Sequence, residues 1–187
     1  MNREQWLSEA VHYLEEKFFN KKTKKLPKIA VSVGIPKGSS SAIGQCWDHK
    51  LSKDGTTNIF VCPSIDDDFT VLTTLLHELC HAVIGVRYGH GPEFGRIARS
   101  VGLEGKLTST TVSQDSETGL YLSNVAQNLG NYPHKAMNKA TQKNKKPSNR
   151  ITLISPENES YKITIQKDLL QLGLPTDPWG KEMQVKE

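Results

Sequence analysis

Apolar residues recur at helical spacing near the N-terminus of the chain. Trp6, Ala10 and Leu14 follow one another at intervals of four, with glutamates at several positions between them. This period is typical of an amphipathic helix. Three short apolar runs come next, separated by turn-forming residues, over residues 28–33, 41–48 and 57–63. Their shortness and tight linkage predict a small antiparallel meander rather than parallel strands joined by helices.

The strongest helical pattern follows three consecutive aspartates, residues 66–68, whose side chains suit the first turn of a helix. Gly89 ends this pattern, and Pro92 stands where a proline opens a second helix. The chain is therefore predicted to form a long helix and, after a turn, a shorter one. The apolar stripe of the long helix steps by three and four residues through Phe69, Leu72, Leu76, Leu79, Val83 and Val86.

Length and composition limit the architecture further. The chain has 187 residues, of which 36% are hydrophobic and 24% are charged, and its net charge is +4. This is enough for one packed domain and an appendage. The N-terminus has no apolar leader, and no apolar run approaches the roughly 20 residues of a membrane helix. We expect a cytoplasmic protein. The three cysteines are never at C-x-x-C spacing, which argues against a disulfide scaffold and an all-cysteine zinc site.

A basic stretch separates the two ends of the chain. No acidic residue occurs between Glu117 and Glu157, and within this stretch residues 134–150 predict a basic linker. Its cations are candidates for non-specific contact with DNA phosphates, and a solvated linker without a partner is the alternative. Residues 151–187 have the alternating pattern of a small β-hairpin module. The candidate cations are Lys135, Lys139, Lys143, Lys145, Lys146 and Arg150.

The long predicted helix carries an H-E-x-x-H motif formed by His77, Glu78 and His81. At 3.6 residues per turn the two histidines lie on nearly the same side of the helix, so they can share one metal ion. Zinc lowers the pKa of a bound water to about 7, and Glu78 is placed to take a proton from it. The motif favours a metal-dependent hydrolase; two helix-face histidines around a chance glutamate are the alternative.

A catalytic zinc site needs a third protein ligand and one open position. His90 lies between the helix-ending Gly89 and Pro92, and a turn at this place can bring its imidazole back towards the first two. Glu93 is the alternative third ligand, because a helix-borne glutamate can also bind zinc.

These motifs resemble those of the SprT-like metallopeptidases, which include the Spartan proteases that act on DNA–protein crosslinks. The match lies in His77-Glu-Leu-Cys-His81 followed by Gly89-His-Gly-Pro-Glu-Phe94, and it extends to residues 96–106 and 132–134. The short gap between the motifs favours a phage or bacterial member, and hence a bacterial cell or a phage-infected host. The resemblance implies zinc ligands at His77, His81 and His90, Glu78 as the general base, and an α+β, zincin-like fold over residues 1–133.

The C-terminal tail departs from the family pattern. Members of this branch often end in a zinc ribbon, but its cysteine positions are occupied here by Ser155, Asn158, Asp177 and Trp179. These side chains do not form a tight tetrahedral zinc site. We therefore expect residues 151–187 to be a metal-free, ribbon-like hairpin held by apolar packing of Trp179 and nearby leucines, and one zinc ion per chain.

The resemblance implies a zinc-dependent endopeptidase that acts on protein or peptide substrates, including DNA-associated ones. The alternative is of another class: a non-catalytic nucleic-acid-binding or virion-associated protein on a zincin scaffold. The intact Glu78 favours the enzyme, because a merely structural metal needs no base.

Overall fold

The computed structural model describes residues 1–19, 25–35, 41–137 and 148–186. The chain divides into two compact units, Met1–Lys139 and Ala140–Glu187. The division lies inside the basic linker predicted over 134–150, most of which is outside the described residues. In the part of the chain that is described, no helix combines the length and the apolar character needed to cross a membrane.

The predicted N-terminal helix is present as α1 (Arg3–Leu14). It begins at a capping box, in which the Asn2 side chain accepts from the Gln5 backbone and the Gln5 side chain accepts from the Asn2 backbone. Trp6, Leu7 and Leu14 are fully buried on its inner face. A π-helical turn, Glu15–Phe19, follows and buries Phe19.

The central sheet has three strands, β1 (Ile29–Val33), β2 (Gly44–Trp47) and β3 (Thr57–Val61), in the order β1-β3-β2. β2 is antiparallel to β3, as predicted, but β1 is parallel to β3. The predicted all-antiparallel meander is therefore wrong. β3 is the most buried of the three strands, with Ile59 and Val61 at 0% exposure. A deeply buried strand suits the central position of a sheet, where neighbouring strands pair with both of its edges.

The predicted long helix is present as α2 (Asp68–Ile84). Its first turn is capped by Asp67, whose carboxylate accepts from the backbone of Thr70 at 2.8 Å. α2 packs against β2 and β3, and its apolar face forms the middle of the core. A 3-10 turn (Val86–Tyr88) then leads to α3 (Pro92–Ser100).

The structure also contains elements that the sequence pattern does not reveal. β4 (Glu104–Lys106) and β5 (Ser109–Thr111) form an antiparallel hairpin, and α4 (Glu117–Leu129) packs against α1 and α2. Residues of β4 and β5 are mostly polar and exposed, so no alternation of apolar residues marks them.

The segment after α4 is attached to the first residue of α2 and to the loop that precedes it. Asp68 accepts from the backbone of Tyr132 at 2.7 Å, and Asp66 accepts from that of Ala136 at 3.0 Å. The His134 ring lies 2.9 Å from the carbonyl oxygen of Pro63. The first residues of the predicted linker therefore belong to the first unit.

The second unit is a three-stranded antiparallel sheet of β6 (Arg150–Ile154), β7 (Lys162–Gln166) and β8 (Gln184–Val185), in the order β7-β6-β8. A 3-10 segment, Lys167–Leu172, follows β7. The hairpin of β6 and β7 matches the prediction for this region.

The expected apolar support of the second unit is wrong in its main residues. Trp179 is 55% exposed and Leu172 is 85% exposed. The buried apolar residues of this unit are Leu153 and Met183 instead, and a buried polar contact is also present: the Ser155 hydroxyl donates to Asp177 at 2.5 Å and accepts from the backbones of Glu157 and Asn158. The Asp177 carboxylate also accepts from two backbone N–H groups. Hydrogen bonds therefore join the turn after β6 to the turn around Asp177.

Candidate metal centre

Three imidazoles converge at one end of α2. Nε2 of His90 lies 3.1 Å from Nε2 of His77 and 3.2 Å from Nε2 of His81. Three nitrogens bound at 2.0–2.1 Å to a tetrahedral zinc ion would be about 3.4 Å apart. The spacing of these nitrogens therefore fits a single small cation. Among the residues that the structure describes, these histidines form the one group of nitrogen, sulfur or carboxylate donors close enough to hold a metal ion.

The turn between α2 and α3 brings His90 back to the helix. Gly89 has φ +49°, a left-handed conformation that favours glycine, and α3 begins at Pro92 immediately afterwards. His90 is exposed while His81 is buried, so the cluster opens to solvent on the His90 side.

The fully buried Phe94 of α3 supports all three imidazoles. Its ring centroid is 4.3 Å from that of His81, 4.8 Å from that of His77 and 5.0 Å from that of His90. The ring stacks on His81. The apolar spacing of α3 predicts that Phe94 is a core residue, but it does not reveal this contact with the cluster.

The electrostatic environment keeps these histidines neutral. Burial, together with the neighbouring His90, lowers the pKa of His77 to about 4. Burial, together with His77 and His90, lowers the pKa of His81 to about 3. Neutral imidazoles offer a free lone pair, which is the form that binds a metal ion.

Glu78 lies between α2 and β2 and is only 6% exposed. Burial raises the pKa of its carboxyl to about 8, and a hydrogen bond from the backbone of Cys46 acts in the opposite direction. Gly44 of β2 makes room for it: a Cβ at this position would lie 2.6 Å from Oε1 of Glu78 and 2.6 Å from Cγ2 of Thr74. The glycine is therefore required for the carboxyl to occupy this place.

Thr110 of β5 contacts the cluster from outside α2 and α3. Its Oγ1 lies 2.8 Å from Nδ1 of His77. Sequence reasoning missed this residue, since a threonine in a short polar run carries no signal of such a contact.

The remaining candidate residues are Glu93 and the six cations of the basic stretch. The Glu93 carboxylate is 3.7 Å from the Arg96 guanidinium and is not part of the donor group. Lys135 and Arg150 are exposed. The remaining candidate cations, Lys139, Lys143, Lys145 and Lys146, lie outside the described residues.

Fold and site together define a mixed α+β domain in which the central helix and the turn after it present a three-histidine, cation-sized cluster. A family model described as the SprT-like family matches residues 7–114, which is more than half of the chain and includes the three histidines, Glu78 and Thr110. The chain therefore belongs to the SprT-like family, and the predicted family is confirmed. Searches of curated proteins and of solved structures found no match.

Proposed function

We propose that this protein is a zinc-dependent endopeptidase with a zincin-like catalytic domain. The observation that supports this most strongly is the convergence of three neutral imidazoles through their Nε2 atoms, two of them on the helix that also carries the buried carboxyl of Glu78. Membership of the SprT-like family supports the same class of activity.

In this proposal His77, His81 and His90 hold one zinc ion per chain. When bound, the ion supplies a Lewis acid that activates water and polarises the substrate carbonyl. When zinc is bound, its charge favours the ionised carboxyl of Glu78, which acts as the general base: it would take the proton of the attacking water and then pass it to the leaving amine. Phe94 keeps the imidazoles in register through its contact with all three rings.

The substrate in this proposal is an extended segment of a protein or peptide. β2 forms one edge of the central sheet, and an extended chain can add to such an edge as a further strand. Glu78 packs directly against this strand, where Gly44 leaves room for its side chain. A segment bound along β2 would therefore pass close to the proposed base.

Cleavage of casein by the purified, zinc-loaded chain tests this proposal. We expect cleavage that a chelator abolishes and that added zinc restores. The variant Glu78→Gln should keep its zinc but lose activity, because the amide cannot take a proton. Zinc binding without any metal-dependent cleavage, with or without DNA, would favour the alternative of a non-catalytic protein on the same scaffold.

We also propose that the basic segment between Lys135 and Arg150 contacts DNA and brings the peptidase to DNA-associated proteins. This proposal is supported by the sequence alone. Each phosphate that a lysine neutralises contributes about −0.9 to the slope of log K against log salt. Replacing Lys143, Lys145 and Lys146 by glutamine should therefore flatten the slope by about 3. Absence of DNA binding at low salt would leave the segment a plain linker.

A further inference from the structure

We propose that Thr110 is a positioning residue for the metal centre, through a hydrogen bond that its hydroxyl oxygen accepts from Nδ1–H of His77. This inference rests on the proposed function, because it assigns the purpose of the contact to metal binding. It concerns the β4–β5 hairpin, an element that contributes no metal ligand.

The tautomer of His77 determines which of its ring nitrogens can bind a cation. A neutral imidazole carries its proton on one ring nitrogen and a lone pair on the other. Nε2 of His77 faces His90 within the cluster, at 3.1 Å. If this nitrogen is to bind a cation, the proton must be on Nδ1, and Nδ1 lies 2.8 Å from the oxygen of Thr110. The threonine therefore accepts from the tautomer that leaves Nε2 free.

His81 differs from His77 in the surroundings of its Nδ1 atom. Nδ1 of His81 is buried, and it has no hydrogen-bond partner among the residues that the structure describes. His81 is oriented by its stacking on Phe94. α2 carries two of the imidazoles. Among the described residues, a hydrogen bond at Nδ1 therefore holds the ring of His77 but not that of His81.

Strand β5 places Thr110 on the face that is turned towards the cluster. In β5 the side chain of Thr110 is half-buried, whereas those of Ser109 and Thr111 on either side are exposed. This alternation follows from the strand, in which successive side chains point to opposite faces. The face that carries Thr110 is thus turned towards α2, and Thr111 offers a matched control of the same residue type on the opposite face.

Zinc affinity measured by competition with a chelating dye tests the inference without any need for peptidase activity. The variant Thr110→Val has nearly the same shape but cannot accept a hydrogen bond, so it should bind zinc about 10- to 100-fold more weakly. Thr110→Ser should restore most of the affinity, and Thr111→Val should bind like the parent. The absorption bands of the cobalt-substituted protein should shift in Thr110→Val and not in the other two variants.

Parental zinc affinity together with an unshifted cobalt spectrum in Thr110→Val would overturn the inference. If this variant does not fold, as judged by circular dichroism, Thr110→Ala replaces it in the same comparison with Thr110→Ser. The two proposals fail separately. Thr110-dependent zinc binding without peptidase activity contradicts only the proposed function. An active peptidase with unchanged zinc affinity in Thr110→Val contradicts only the positioning role.

Discussion

Replacement of Gly44 by alanine should displace Glu78 without disturbing the three histidines proposed to bind zinc. The new Cβ would lie 2.6 Å from both Oε1 of Glu78 and Cγ2 of Thr74. The side chain of Thr74 cannot easily move aside, because it is β-branched and its hydroxyl donates a hydrogen bond to the Thr70 carbonyl oxygen at 2.7 Å. The carboxyl of Glu78 is at the end of a longer side chain, so it is the group that should move.

The size of the displacement follows from the contact distances. Carbon atoms pack best at about 3.5–4.0 Å, so these contacts must lengthen by roughly 1 Å. A misplacement of about 1 Å in a catalytic group can lower the rate by about 100-fold. Overpacking of this kind costs about 1–3 kcal/mol of stability. We therefore expect Gly44→Ala to fold with a reduced melting temperature, to keep its zinc, and to lose between about 10- and 100-fold in kcat/KM.

The assay compares peptide cleavage, zinc content and thermal unfolding of Gly44→Ala with those of Gln45→Ala. The control changes the next residue of β2, whose side chain leaves the opposite face of the strand, and it should keep the parental rate. Parental kcat/KM in Gly44→Ala would refute the reasoning that Gly44 determines the position of the base. Loss of zinc from Gly44→Ala would also refute it, because the damage would then lie at the ligands.

Three further measurements address the base, the third ligand and the tail. Because the pKa of Glu78 is raised, the folded, metal-free chain keeps a proton that the unfolded chain releases. The contribution of this carboxyl to the free energy of unfolding therefore becomes less favourable as the pH rises from 4.5 to about 8. With a chelator present, the free energy of unfolding in urea of Glu78→Gln should therefore rise relative to that of the parent as the pH rises, by at most about 5 kcal/mol. A difference between the two proteins that does not change with pH contradicts this. His90→Ala should lose zinc in equilibrium dialysis while Glu93→Ala keeps it, and the reverse result would make Glu93 the third ligand. Ser155→Ala should loosen the tail by about 1–3 kcal/mol, because two backbone N–H groups lose their acceptor. Limited proteolysis would detect this as new cleavage within residues 148–186, and the variant should retain one zinc ion per chain. Unchanged cleavage would contradict the role given to Ser155. A second tightly bound zinc ion would contradict the expectation of one zinc ion per chain.

Local patterns in the sequence predicted α1, α2 and α3 and the candidate chemistry, but not α4. The stripe through Leu72, Leu76 and Leu79 predicted α2, because a helix repeats every 3.6 residues whatever packs against it. The same period put His77 and His81 on one side of that helix. The glycine and proline around His90 predicted the turn that brings its imidazole to theirs.

Strand order was beyond the reach of such patterns. The three β-runs were recognisable, and the pairing of β2 with β3 was predicted correctly. However, the place of β3 between β1 and β2, with β1 parallel to it, depends on pairing between segments that are remote in the sequence. The exposed hairpin of β4 and β5 carries no apolar alternation, so its existence was not predicted either.

The surroundings of the candidate site were decided by the tertiary structure alone. Thr110 reaches His77 across 33 residues of sequence, and Gly44 meets Glu78 from a different element. A threonine or a glycine is common in turns and short strands, so neither residue signals such a contact by its type or spacing. Packing alone brings Thr110 within 2.8 Å of His77 and sets the backbone of Gly44 where any side chain would meet Glu78. The sequence by itself therefore determines the reactive groups of this protein, whereas the folded chain determines what orients them.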